Sequence, residues 1–124
     1  MFVKLSEDQV FPPNGYAILV GSRRNAIYGE DGKPTGQTNG IRLDCRALPD
    51  LSPVSVKVLG AHTQAPISNE EVSRRALRGE LTWVQFEGFS GTTWIDRRSG
   101  TLRISGTASE VRLVDAPNDL VISP

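Results

Sequence analysis

Four closely spaced strand-like runs in the second half of the chain constrain its fold more than any other feature. The same block holds four of the eight aromatic residues, Trp83, Phe86, Phe89 and Trp94. β-Branched and aromatic residues favour strands, and large aromatic side chains contribute most to the burial of a small core. A sheet is therefore predicted over residues 81–114. Its four runs are Leu81–Phe86, Thr92–Ile95, Thr101–Ser105 and Glu110–Val114.

Hydrophobic patterns predict three further strands in the first half of the chain. Tyr16–Val20 is a continuous apolar run, which is typical of a strand buried on both faces. Ile41–Ala47 and Val54–Val58 alternate apolar with polar residues, which indicates strands with one buried face. The polar stretch 22–40 contains the tight-turn sequence Glu30–Lys33 and is predicted to form a hairpin-like excursion.

One helix is predicted near residues 69–78. Ser68 and Glu71 have the spacing of a capping box, and Ile67 with Val72 has that of a hydrophobic staple. Gly79 follows as a C-terminal stop. The sequence thus predicts a mainly β fold of the β-rich α+β type. We expect an antiparallel sheet or barrel of about six to eight strands with this one short helix.

Length and charge limit the classes that remain. The 124 residues are expected to form a single β-rich domain over residues 1–124, with about ten N-terminal and about five C-terminal residues loosely held. Fourteen basic residues balance fourteen acidic ones, so any electrostatic site must be local. The N-terminal segment has no sustained apolar run, and neither a signal peptide nor a membrane-spanning helix is expected.

The inventory of reactive side chains argues against catalysis. Cys45 is the only cysteine, which excludes an internal disulfide and favours a reducing, cytoplasmic location. His62 is the only histidine, and no serine or cysteine accompanies it at a known catalytic spacing. One histidine and one cysteine do not build a typical zinc site. We therefore predict no enzyme activity, no metal and no cofactor.

Arginines near aromatic residues suggest a nucleic-acid contact instead. Proteins that bind single strands combine aromatic side chains, which stack on bases, with basic groups that contact phosphates. Core packing of the aromatics and solvated surface arginines are the competing interpretations. Trp83 and Phe86 face opposite sides of a regular strand and cannot stack on one surface. The candidate nucleic-acid-binding residues are Arg23, Arg24, Arg74, Arg75, Arg78, Trp94, Arg97 and Arg98.

Three segments resemble a known family. Phe11–Tyr16 is similar to an FP-x-G-aromatic segment, Asp31–Thr35 to a D-x-x-(T)G-x-P turn, and Trp83–Phe89 to a VEFEGL segment. These belong to the plasmid replication, integration and excision activators of actinobacterial integrative plasmids. More remotely, the layout resembles small conjugative-element proteins that act as helicase processivity factors with a sliding-clamp-like β fold. Both resemblances imply a non-enzymatic role in a mobile element.

The leading hypothesis is an accessory factor of a plasmid or integrative/conjugative element that assists replication or transfer. Its partner would be DNA or a replication or transfer protein such as a helicase, with no membrane contact, and the factor could act as a homo-oligomer. The alternatives are an OB-like single-stranded nucleic-acid-binding protein and a structural or interaction protein, such as a phage assembly component. Phosphate-driven binding weakens as salt rises, which separates nucleic-acid binding from assembly through an apolar interface.

Overall fold

The computed structural model describes residues 4–12, 15–48, 50–60 and 63–117, and these form one eight-stranded sheet with two helices. His62 and the C-terminal five residues, for which predictions were made, lie outside the described residues. The elements are β1 (Lys4–Leu5), α1 (Glu7–Val10), β2 (Ala17–Tyr28), β3 (Pro34–Ala47), β4 (Ser52–Val58), α2 (Asn69–Leu77), β5 (Trp83–Glu87), β6 (Ser90–Asp96), β7 (Thr101–Ala108) and β8 (Glu110–Val114).

The β-rich class, the number of strands and the short helix near 69–78 are confirmed. The strand order is β1-β6-β7-β4-β3-β2-β5-β8, with β1 and β8 as the edges. The sheet formed by the described residues therefore does not close, either into a general barrel or into an OB-like one. The pairing is also not wholly antiparallel, because β4 and β7 run parallel. Parallel neighbours need a long crossover. In this protein the connection from β4 to β7 contains α2, β5 and β6. The alternating pattern within one strand does not indicate whether such a connection follows it.

The main core lies on one face of the sheet. The predicted alternation in β3 and β4 is confirmed, because Leu43, Val56 and Val58 are almost wholly buried on this face. Phe11, at the end of α1, is completely buried and packs against Phe86 with ring centroids 5.7 Å apart. Short-range patterns thus place the core correctly. The helix α1, by contrast, was not predicted from the sequence.

A pair of glycines makes room for the third ring of this core. Gly91 and Gly106 lie directly opposite each other in β6 and β7. The ring of Phe89 packs over both glycines and meets Phe11 edge-on at 5.3 Å. A Cβ atom at Gly106 would lie 2.5 Å from Phe89 Cε2 and 2.7 Å from Cζ. Only a residue without a side chain fits beneath this ring.

The opposite face of the sheet carries a smaller apolar cluster at the β2–β5–β8 end. Ile18, Leu48 and Trp83 are buried there, and Tyr16 packs edge-on against Trp83 with centroids 6.3 Å apart. Trp83 and Phe86 accordingly face opposite sides of β5, as predicted. Trp83 is 3% exposed, so this tryptophan is a packing residue.

The helix α2 begins at the predicted Ser68 cap and also covers a strand edge. Of the predicted capping box, the structure shows the Ser68 half, while the Glu71 carboxylate pairs with Arg74. Ser68 accepts a hydrogen bond from the backbone N–H of Glu71, and Val72 packs into the main core. The side chain of Asn69 forms hydrogen bonds with the backbone of β2 in the way that a neighbouring strand would. Its Oδ1 accepts from the Ser22 N–H at 2.8 Å, and its Nδ2 donates to the Ser22 carbonyl at 2.9 Å. One side chain thus satisfies both backbone groups of Ser22 where β5 no longer pairs with β2.

Replacement of Gly106 by Ala should destabilise the protein by about 1–3 kcal/mol, since the added methyl group overlaps the Phe89 ring. Urea denaturation of the wild type and Gly106→Ala measures the difference. Ser105→Ala, one residue earlier and pointing away from the core, serves as the control and should have a small effect. Equal midpoints for wild type and Gly106→Ala would contradict this packing of the Phe89 ring.

Thr82 offers a stabilising substitution. Its side chain is 2% exposed, and its hydroxyl has no hydrogen-bond partner in the described part of the chain. A buried hydroxyl without a partner costs about 1–3 kcal/mol, so Thr82→Val should raise the free energy of unfolding by about 1 kcal/mol or more. The control is Thr92→Val, which removes a hydroxyl that bonds to the Ser105 carbonyl at 3.5 Å. A lower urea midpoint for Thr82→Val would refute this interpretation.

Candidate functional site

The most distinctive surface of the protein is a basic concavity on the face opposite the main core. Strands β2, β3, β4, β7 and β6 line a depression of about 830 Å³, which we call the basic face. Five cationic side chains and two carboxylates line it. They are Arg23, Arg42, Arg46, Lys57 and Arg103, with Asp44 and Asp96.

Strand alternation places these side chains on the basic face. Successive side chains of a strand point to opposite faces. In β3, the burial of Leu43 in the core leaves Arg42 and Asp44 on the other side. In β4, the burial of Val56 and Val58 does the same for Lys57. The core and the basic face are therefore two sides of the same strands.

Three cations form a row across adjacent strands. Arg23 of β2 lies opposite Arg42 of β3, and Arg42 lies opposite Lys57 of β4. Directly opposite residues have Cβ atoms about 4.5–5.5 Å apart, and like charges in such pairs are destabilising. The row continues as Thr107, the partner of Lys57 in β7, so no carboxylate interrupts it. We call Arg23, Arg42 and Lys57 the cation row.

The carboxylates of the basic face neutralise only part of this charge. Asp44 Oδ2 lies 3.4 Å from Arg23 Nη1, and Asp96 Oδ2 lies 3.8 Å from Arg103 Nε. Within the described ranges, neither Arg42 nor Lys57 forms an ion pair. The Arg23–Asp44 pair is exposed and contributes little to stability. A positive potential therefore centres on Arg42 and Lys57.

Hydroxyl groups line the floor between the cation row and the far end of the basic face. Ser55 of β4, Ser105 of β7 and Thr92 of β6 follow one another across the sheet. Thr107 and Ser90 also line the concavity. Hydroxyls both donate and accept hydrogen bonds, so the floor suits a polar ligand better than an apolar one.

Trp94 stands at the far end of the basic face. It lies opposite Arg103 in the β6–β7 pair and is 39% exposed. Neither apolar cluster includes it. None of the aromatic ring pairs found among the described residues involves it either. The indole therefore lines the concavity in register with Arg103, with its ring available for contact.

The structure brings together some of the residues predicted from the sequence. Arg23 and Trp94 both line the basic face. Arg97 and Arg98 are exposed in the turn between β6 and β7, next to the end that carries Trp94. Arg24 instead donates to the Thr63 carbonyl at 2.6 Å.

The three predicted helix arginines lie elsewhere. All pair with Glu71, at distances of 2.9, 3.8 and 3.8 Å for Arg74, Arg75 and Arg78. Their helix packs on the core side of the sheet through Val72. None of them is part of the basic face.

Sequence reasoning missed four cations of the basic face, namely Arg42, Arg46, Lys57 and Arg103. A signal existed for three of them, because the alternation in residues 41–47 and 54–58 already places Arg42, Arg46 and Lys57 on the polar sides of two strands. The residues that lie opposite these cations in neighbouring strands depend on the strand register. The sequence around Lys57 or Arg103 does not reveal that register. Linear proximity to an aromatic residue was the wrong criterion for these positions.

The remaining reactive groups offer little chemistry. Burial and the adjacent Asp44 carboxylate raise the pKa of the Cys45 thiol far above its ordinary value. The thiol therefore stays protonated at neutral pH and is a poor nucleophile. The described residues contain no group of three histidine, cysteine or carboxylate side chains that could hold a metal ion.

Comparison with protein-family models, curated proteins and solved structures finds no match to this chain. Neither helix in the described residues has the length and apolar character needed to cross a bilayer.

Replacement of Arg42 by Gln should stabilise the protein at low salt, because it removes the central charge of the cation row. The expected gain is about 0.2–1 kcal/mol. It should disappear near 1 M NaCl, where the screening length is about 3 Å. Urea denaturation at low and high salt measures both values.

The matched control is Arg112→Gln, which removes a cation that pairs with Glu87 at 3.3 Å. This substitution should not stabilise the protein at either salt concentration. A loss of stability in Arg42→Gln at low salt would show that the cation row is not under electrostatic strain.

Proposed function

We propose that this protein is a non-enzymatic accessory factor that binds nucleic acid along the basic face. The observation that supports this most directly is the cation row, in which Arg23, Arg42 and Lys57 lie side by side without an intervening acid. Like charges held together lower stability. Such an arrangement is expected where an anionic ligand neutralises the charges, since functional sites often carry local costs of this kind.

The extent of the basic face favours a polyanion over a small anion. Adjacent strands are about 4.8 Å apart, so the cation row presents positive charge over about 10 Å. Arg46 and Arg103 add positive charge at positions four residues along β3 and β7 from the cation row, a distance of about 13 Å. One phosphate or carboxylate cannot contact groups spread over this area. A chain of phosphates can.

The local nature of the charge agrees with the overall composition. The chain as a whole carries no net charge, so it lacks a global attraction for nucleic acid. Binding through about three to five phosphate contacts would be modest in affinity and sensitive to salt. This behaviour suits an accessory factor that acts beside a replication or transfer enzyme.

The cellular role in the proposal rests on resemblance. Phe11–Tyr16, Asp31–Thr35 and Trp83–Phe89 are similar to segments of mobile-element accessory proteins. We therefore propose that the protein assists replication or transfer of a plasmid or integrative/conjugative element, together with DNA and a protein such as a helicase. The basic face would supply the nucleic-acid contact in that assembly.

Fluorescence anisotropy with labelled oligonucleotides at about 50 and about 200 mM salt tests this function. The wild type should bind, and its affinity should fall steeply as salt rises. Arg42→Ala combined with Lys57→Ala should weaken binding at low salt. The pair should also reduce the slope of log affinity against log salt by about two, because each cation that no longer neutralises a phosphate lowers the slope by about one.

The control variant combines Arg74→Gln with Arg78→Gln. It removes the same charge from α2 and its C-terminal cap residue, on the core side of the sheet, and introduces glutamine, which has good helix propensity. Its affinity should match that of the wild type. Absence of wild-type binding at about 50 mM salt, or equal losses of affinity in the two double variants, would refute nucleic-acid binding by the basic face.

A further inference from the structure

Trp94 and the cation row mark the two ends of the same concave floor. Lys57 pairs with Thr107, and Thr107 pairs with Ser90 at the start of β6. Trp94 lies four residues further along β6, which corresponds to about 13 Å at 3.3–3.4 Å per residue. β6 also lies two strand spacings from β4, which adds about 10 Å across the sheet and puts Lys57 and Trp94 about 16 Å apart. A ligand that crosses the cation row therefore reaches the indole within about five nucleotides, at the stacked spacing of about 3.4 Å per nucleotide.

We propose that the ligand of the basic face is a single-stranded nucleic acid, with one base stacked on Trp94 and its phosphates on the cation row. This inference rests on the proposed function and specifies its substrate class. Base stacking on aromatic side chains is tolerant of sequence, because every base has a π face. The strand is thus recognised by its exposed bases and its backbone charge.

The shape of the site favours a single strand over a duplex. Proteins read duplex DNA with an element that enters a groove, such as a helix or a two-stranded ribbon. The cations here lie on the floor of a concavity formed by five strands. A duplex also keeps its bases stacked on each other, which leaves no base face for Trp94. An unpaired strand can lie in the concavity and offer a base to the indole.

The composition of the site favours nucleic acid over an acidic peptide. Carboxylates of a peptide could pair with Arg42 and Lys57, but they would not use the indole at the far end. Trp94 lies opposite Arg103. An aromatic ring beside a guanidinium is a combination that binds bases by stacking and cation–π contact. An anionic strand that also carries aromatic rings matches both ends of the basic face.

The test compares the wild type with Trp94→Leu, which keeps an apolar side chain but cannot stack. Affinity for an oligothymidylate should fall by about 5- to 150-fold, the range expected when one stacked base is removed. Ile95→Ala is the matched control, because Ile95 is an exposed apolar residue of the same strand, 66% exposed, that faces the other side. Its affinity should be unchanged.

Intrinsic fluorescence provides a second readout. Trp83 and Trp94 are the two tryptophans, and Trp83 is 3% exposed while Trp94 is 39% exposed. Oligothymidylate should quench the wild-type emission, and the quenching should vanish in Trp94→Leu, where Trp83 remains as an internal reference. Circular dichroism of both variants establishes that each is folded, which separates a missing stacking partner from a failure to fold.

Duplex of the same length and polyglutamate of matched charge complete the experiment. Both should bind more weakly than the single strand, and Trp94→Leu should not affect them. If duplex binds as tightly as the single strand, or Trp94→Leu binds oligothymidylate normally, the single-strand inference is wrong while the basic face remains a nucleic-acid site. Preferred binding of polyglutamate would overturn both proposals in favour of an acidic peptide. Weaker binding by Trp94→Leu with no effect of Arg42→Ala and Lys57→Ala would retain the stacking contact and refute the cation row.

Discussion

The parallel pairing of β4 with β7 is the interaction on which the rest of the structure depends. Five residue pairs, from Val54 with Ile104 to Val58 with Ala108, join the β2–β3–β4 strands to the β6–β7 hairpin. In this pairing the fully buried Val56 lies opposite Gly106, next to the glycine pair beneath the Phe89 ring. It also places Lys57 on the same surface as Trp94. The core and the basic face both require this junction.

The two faces of the central strands impose opposite demands. On the core face, Leu43 and Val56 gain from burial, which provides most of the stabilisation in a fold of this size. On the basic face, Arg42 and Lys57 face each other with no carboxylate between them. The apolar contacts on one side therefore hold the unfavourable charges on the other. This division of roles within single strands explains why a stable sheet can present a strained electrostatic surface to a ligand.

Most of the fold could be predicted from short segments, and much less of the candidate site could be. The Ser68 cap, the alternation in Ile41–Ala47 and the opposite orientations of Trp83 and Phe86 were all correct. These three predictions depend only on residues within one or two turns of a helix or along a single strand. Among the predicted site residues, the structure places Arg23 and Trp94 on the basic face. Arg42 and Lys57 were missed because each becomes part of a row only through its neighbours in other strands.

The sequence by itself determined the approximate positions of β2 to β8, where α2 begins and which sides of β3 and β4 are apolar. These properties follow from side-chain periodicity and capping, which act over a few residues. Only the tertiary structure decided the strand order, the parallel direction of β4 and β7 and the open sheet. Strands pair through backbone hydrogen bonds that every residue except proline can form. The hydrophobic pattern of a strand therefore does not determine which strand pairs with it. The row of Arg23, Arg42 and Lys57 exists only once the chain has folded.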